Sequence, residues 1–157
     1  NVDGPVTIVE FIDYKCGFCK RFHFEMIQLL DEVPQTRYVI KEFPILGLES
    51  LLASKASIAL LLHQGPDIYR SFTDALLLTN DKITLEKLIT IADQAGGDGA
   101  LIKKYIESEK VLEVLEENYE LARALDIQGT PTFVIGSEVV RGYKSKQQLK
   151  DILFKNM

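Results

Sequence analysis

Cys16-Gly17-Phe18-Cys19 holds both cysteines of this 157-residue chain, and it stands where one hydrophobic period gives way to another. Before it, Val6, Ile8, Val9, Phe11 and Ile12 read as a buried strand over Val6 to Ile12. After it, Gly17 to Leu30 reads as a helix with Phe22, Met26, Leu29 and Leu30 on one face. A strand running straight into a helix across two thiols constrains the chain to an α/β start. It also places the first thiol at a helix N-terminus, beside free backbone N–H groups and the positive end of the helix dipole. Both favour a thiolate. Two thiols with two residues between them can close a small disulfide ring, so the pattern has the chemistry of thiol–disulfide exchange.

The rest of the chain extends this start. Thr36 to Phe43 carries the β-branched and aromatic residues of a second strand, which Pro44 ends. From about Glu49 to Leu125 the patterns are helical: Leu51 to His63, then a helix opened by Pro66 and Asp67 that runs through Tyr69, Phe72, Leu76 and Leu77. Thr84 is a candidate N-cap for Leu85 to Ala95, and Asp98 for the helix after Gly96-Gly97. Glu109 to Leu125 is amphipathic, with Leu112, Leu115, Tyr119 and Ala122 at helical spacing. Thr132 to Ile135, the turn Gly136-Ser137 and Glu138 to Arg141 form a hairpin pattern, and Ser145 caps a last helix with Leu149, Ile152 and Leu153 inward.

The order is β-α-β, several helices, then β-β-α: a thioredoxin fold with a helical insertion between the second and third core strands. The expected organisation is one domain over 1–157, with core 1–48 and 126–157 and an insertion at about 49–125. A 46% hydrophobic and 26% charged composition fits a globular domain of this length. The net charge of −5 argues against nucleic acid as a partner. The densest apolar run, Ile58 to Leu62, is too short to span a membrane. The chain opens Asn1-Val2-Asp3 without an initiator Met, so a mature or trimmed fragment is expected.

Gly129-Thr130-Pro131 precedes the late strand; the resemblance to thioredoxin-like proteins, which carry a cis-proline facing the cysteines at this point, implies a cis Thr130–Pro131 bond, against the alternative of an ordinary trans proline opening a strand. Together, Phe11-Ile12-Asp13-Tyr14-Lys15-Cys16-Gly17-Phe18-Cys19-Lys20 and Gly129-Thr130-Pro131-Thr132-Phe133-Val134-Ile135-Gly136 resemble the DsbA-like family of bacterial exported thiol–disulfide oxidoreductases. They look most like its ScsC/Com1-type branch, which shares Cys-Gly-aromatic-Cys and Thr–cis-Pro motifs with the DsbC and DsbG isomerases. The resemblance implies a periplasmic location, unfolded or misfolded exported proteins as substrates, a membrane redox partner, and no metal or organic cofactor beyond a redox-active Cys16–Cys19 disulfide. It implies Cys16 as the exposed nucleophile and Cys19 as the more buried resolving thiol. Isomerases of this kind assemble through a segment before the catalytic domain, so the fragment is expected to be monomeric, and two alternatives stay open: a monomeric protein, or a trimmed catalytic domain whose full-length protein assembles through such an N-terminal segment.

Glu10 interrupts an apolar strand six residues before Cys16, where thioredoxin-like proteins commonly carry a buried acid; strand alternation allows it to point under the site and relay the Cys19 proton. The other reading is a solvated Glu at a sheet edge. Asp13 and Lys15 are expected to be exposed on the turn. Gly17, Phe18, Thr130 and Pro131 are candidate substrate contacts, with open Thr130 backbone groups receiving an extended client. Phe18 is either a packing residue or a tuning device, since it cannot donate to the thiolate as a His would. A zinc site through Cys16, Cys19 and His23 is the competing use of the cysteines, but the fold order already explains them. His23 and His63 read as packing or surface residues, and the Glu-rich run Glu107 to Glu120 as a solvated helix face. The leading function is a thiol–disulfide oxidoreductase, leaning to isomerase or reductase. A dithiol oxidase is the alternative, and a metal carrier or a holdase a more distant one.

Overall fold

A computed structural model describes residues 3–157. Its order is β1 (Val6–Ile12), α1 (Gly17–Glu32), β2 (Thr36–Glu42), α2 (Leu48–Gln64), α3 (Pro66–Leu78), α4 (Leu85–Gln94), α5 (Ala100–Tyr105), α6 (Glu109–Ala124), β3 (Thr132–Ile135), β4 (Glu138–Arg141) and α7 (Lys146–Lys155). The sheet runs β2-β1-β3-β4. β1 pairs parallel to β2 and antiparallel to β3, and β3 pairs antiparallel to β4. Parallel strands need a crossover, and α1 supplies it. This is the thioredoxin-like α/β fold, with α2 to α6 lying in the chain between β2 and β3.

Strand alternation sorts the core. Val6 and Ile8 of β1 pack with Phe22, Met26 and Leu29 of α1, Phe133 and Ile135 of β3, and Leu149 and Leu153 of α7. Phe11, on the opposite face of β1, packs with Phe43, Ala122 and Ile127, beside Tyr119 of α6. Ile12 joins a third cluster with Tyr14, both cysteines, and apolar residues of α2 to α5, among them Ala56, Phe72, Leu88 and Ile102. The two thiols therefore sit where the sheet's α1 face meets the inserted helices.

The predicted caps are present: Thr84 accepts from Lys87 N, and Ser145 forms a capping box with Gln148. α5 is capped differently. Its N-cap is Gly99 and not Asp98, whose Oδ1 accepts from Ala100 N at 2.9 Å. In α6 the buried stripe is Val111, Leu115, Asn118 and Ala122, and Leu112 is exposed. The helix is rotated from its most apolar face because Asn118 Nδ2 reaches in to donate to the Glu42 carbonyl at 3.1 Å. Gly136 has φ +59, in the left-handed region that favours glycine, and a Cβ there would lie 2.2 Å from Asn156 Oδ1, so that side chain would have to move.

Candidate active site

Cys16 is the N-cap of α1, and its sulfur accepts from Cys19 N at 3.4 Å. Its backbone N–H donates to the Asp13 carbonyl at 3.0 Å, which closes the turn that delivers the chain into the helix. Both cysteines are free thiols. The Cys16 thiol is held down to about 6, from 9.0. A hydrogen bond from the Cys19 thiol is the main cause; the Thr130 side chain and the backbone N–H groups of Cys19 and Phe18 add to it, against burial. When protonated, Cys16 Sγ donates to the Thr130 carbonyl at 3.3 Å, a contact that favours the thiol and is outweighed. Cys19 is pushed the other way, up, first by donating to Cys16 and then by burial. The resemblance places Cys16 in the open, but only 7% of it is exposed, against 2% for Cys19. The order holds, and Cys16 is nonetheless largely covered, because the Thr130–Pro131 segment lies against its sulfur.

The Thr130–Pro131 bond is cis. These two residues line a cleft of about 260 Å³ with Gln128, Gly129, Arg141 and Gly142. Phe18 is 57% exposed, with its ring 6.1 Å from that of Tyr143, which follows Gly142 of the cleft. A Cβ at Gly17 would meet nothing within 4 Å. Packing does not demand glycine there, and the space beside Cys16 is open.

Glu10 is buried on the central strand. It lies between Ile8 and Ile12 on the α1 face, flanked by Ile40 of β2 and Phe133 of β3. Tyr38 Oη donates to its Oε2 at 2.5 Å. Burial raises the Glu10 carboxyl from 4.5 to about 8; the Tyr38 hydrogen bond opposes this, and the Cys16 charge adds to it. Its charge in turn helps to raise Cys19. A buried carboxyl that ionises near neutrality and interacts electrostatically with a buried thiol can accept that thiol's proton.

Asp13 corrects the sequence reading. It is fully buried, not exposed on the turn. Its Oδ1 accepts from Lys15 N and Ser50 Oγ, both at 2.7 Å, and its Oδ2 from Ile45 N at 2.8 Å and Leu46 N at 3.0 Å. Four donors compensate the burial and tie the active-site turn to the segment after β2. Lys15 is exposed and pairs with Glu49 at 3.1 Å.

A second buried acid escaped the sequence reading. Glu42, at the end of β2 opposite Ile12, accepts from Tyr14 and Tyr69 at 2.7 Å and from Ser54 at 2.8 Å. Tyr14 gives its one proton to Glu42 and accepts from Ser57 at 2.8 Å, which leaves the Thr73 hydroxyl as donor in their 3.2 Å contact. Burial raises Glu42 to about 7, against these hydrogen bonds. The signal that singled out Glu10, an acid in an apolar strand, also applies to Glu42, where it is weakened by Lys41 beside it at the strand's end.

His23 packs between α1 and α3. Its Nε2 lies 3.2 Å from Asp74 Oδ1 but makes no hydrogen bond among the described residues. His63 stacks on Tyr105 at 3.7 Å between ring centroids. Among the described residues no three His, Cys, Asp or Glu side chains are grouped to hold a metal ion.

The family model described as Thioredoxin (Thioredoxin_4) matches residues 1–155. A thioredoxin-like oxidoreductase from Silicibacter pomeroyi is 34% identical and superposes with a TM-score of 0.90, over 98% of this chain and 87% of that one. The thiol–disulfide exchange protein alpha-DsbA2 from Wolbachia pipientis is 27% identical with a TM-score of 0.91, over 99% and 83%. Disulfide bond formation protein D of Bacillus subtilis is 24% identical over 166 residues, which cover 99% of this chain and 74% of that protein. The chain belongs to the thioredoxin family and is a thiol–disulfide oxidoreductase of its DsbA- and ScsC-like group. Proteins of this group use a redox-active disulfide and no external cofactor.

Proposed function

We propose that this oxidoreductase works chiefly from its dithiol form, as a disulfide isomerase and reductase of exported proteins in the periplasm. The observation that carries the reading is the Cys16 thiol at about 6. A strong exported oxidant holds its nucleophile near 3.5 and a reductant of the thioredoxin kind near 7. Cys16 lies towards the reductant, because Phe18 offers the thiolate a backbone N–H but no side-chain donor.

The steps are ordinary exchange. The Cys16 thiolate attacks one sulfur of a client disulfide; that S–S bond breaks and the second client sulfur leaves as a thiolate. In isomerisation a client thiolate then attacks the mixed disulfide and regenerates Cys16. In reduction Cys19 gives its proton to Glu10 and attacks Cys16 Sγ, the bond to the client breaks, and Cys16–Cys19 closes with two electrons transferred to the client. Cys16, Cys19 and Glu10 are the catalytic residues in this reading. Gly17 leaves room for the client, Phe18 offers it an apolar surface, and Thr130 and Pro131 flank its extended chain. A membrane redox partner restores the dithiol.

The whole chain acts as one unit, with core 1–48 and 126–157 and insertion 49–125. Support comes from the Glu42 cluster, in which Ser54 and Tyr69 of the insertion donate to Glu42, and Ser57 and Thr73 of the insertion meet Tyr14 of the active-site turn. The oxidase alternative draws on the name of the Bacillus relative, a disulfide bond formation protein.

Equilibration of the Cys16–Cys19 couple with glutathione buffers tests the direction. The expected potential lies between about −120 mV, a strong oxidant, and about −270 mV, thioredoxin. The protein should also reduce insulin. A potential at the oxidant's value would overturn the dithiol reading.

A further inference from the structure

Glu10 receives its side-chain hydrogen bond from a residue that neither the reaction nor the sequence motif mentions. Tyr38 lies on β2 opposite Ile8, one strand over and two residues before Ile40, the partner of Glu10. Its ring packs against the cluster of Phe22, Met26 and Leu29, so the hydroxyl is aimed by the core. We propose that Tyr38 is a positioning residue for the resolving step: its hydroxyl fixes Oε2 of Glu10, leaves Oε1 to serve Cys19, and stabilises the carboxylate that takes the Cys19 proton. The proposal rests on the reading of Glu10 as that proton acceptor.

The surroundings make such a donor necessary. The titratable groups around this pair are Cys16 and Cys19 from α1, and Asp74 and Tyr69 from α3, both of which interact electrostatically with the Tyr38 hydroxyl. β3 presents the apolar Phe133. Acids and thiolates disfavour a further negative charge at Glu10, and so does burial. A hydrogen bond from Tyr38 opposes both, because it is stronger to the carboxylate than to the neutral acid. The Tyr38 hydroxyl is itself pushed well above its usual range by burial and by Glu10, so it stays a donor throughout the working pH.

The test isolates the resolving step. Cys16 is loaded as a mixed disulfide with a chromophoric thiol, and release of that thiol by Cys19 is followed from about pH 6 to pH 10. Tyr38→Phe keeps the ring and its packing. It should move the midpoint of the pH–rate profile up by about one to two pH units, as expected for loss of one hydrogen bond to a charged acceptor. The rate near pH 7 then falls roughly tenfold or more, and the profiles converge at high pH. In a Glu10→Gln background the same substitution should change nothing further. A Tyr38→Phe profile that superimposes on the parent's, or that drops by one factor at every pH, overturns the proposal. So does an effect that persists with Glu10→Gln. If Glu10→Gln alone leaves the profile unchanged, the assignment of Glu10 is wrong and that of Tyr38 falls with it. If Glu10→Gln alters the profile and Tyr38→Phe does not, only Tyr38 fails.

Discussion

Two carboxyls are buried on the same face of this sheet, and the protein treats them differently. Glu10 lies under the thiols with one side-chain donor, Tyr38. Glu42 lies where β2 meets the inserted helices and accepts from three hydroxyls, those of Tyr14, Tyr69 and Ser54. Burial raises both, Glu10 to about 8 and Glu42 to about 7. The contrast separates two uses of a buried acid. One that is saturated with donors organises its neighbours. One that is left short of donors keeps an oxygen free for proton transfer and carries an energetic cost at neutral pH.

The contrast breaks most visibly at the apolar substitutions. Glu42→Leu strands three buried hydroxyls and should cost about 3–5 kcal/mol in denaturant unfolding. Glu10→Leu strands one hydroxyl but removes a carboxyl that ionises only with difficulty, so near pH 8 its stability should match the parent's to about 1 kcal/mol. Equal losses at the two sites would remove the distinction.

Stability against pH should sharpen it next. Each carboxyl has a native value above its unfolded value of 4.5, so between the two the native state holds more protons than the unfolded state. Stability is then fully present below about pH 4.5 and is lost as pH rises, up to about 7 for Glu42 and about 8 for Glu10. The unfolding free energy, measured across that range, should fall further in the parent than in either single Gln variant. Glu10→Gln should end the decline near pH 7; Glu42→Gln should leave it running to about pH 8. A flat curve in the parent would show that neither carboxyl is raised.

The smallest effect is that of the Cys16 thiolate on the acids. Cys16 ionises first, at about 6, while Glu10 is still neutral, and its thiolate then raises Glu10. Cys16→Ser should therefore lower the Glu10 midpoint, read from its carboxyl carbon resonance against pH, by about half a pH unit, and leave that of Glu42 in place. An equal shift of both would mean that the thiolate reaches the two acids through a common field.

The thioredoxin-like order was legible because its signals are local. Period two over Val6–Ile12, helical period from Gly17, a Gly136-Ser137 turn and caps at Thr84 and Ser145 each involve residues within a few positions of one another. The cysteine pair was legible for the same reason: its N-cap geometry follows from where the helix begins. Asp13 was misread because its compensation is distant. The N–H groups of Ile45 and Leu46 and the Ser50 hydroxyl arrive from 32 to 37 residues away, and without them an Asp on a turn belongs in water. Leu112 was misplaced because a polar contact, Asn118 to the Glu42 carbonyl, set the rotation of α6 over its apolar moment.

The sequence by itself therefore determined the element order, the helix N-terminus that carries Cys16, and the chemistry two thiols in that place can perform. Tertiary structure alone decided which acids are buried, how many donors each receives, and so which carboxyl is free to move a proton. Periodicity reports which side of a strand or helix is dry. It carries no record of hydroxyls brought in from 12, 27 or 28 residues away, and those partners decide whether a buried carboxyl is held fast or left available.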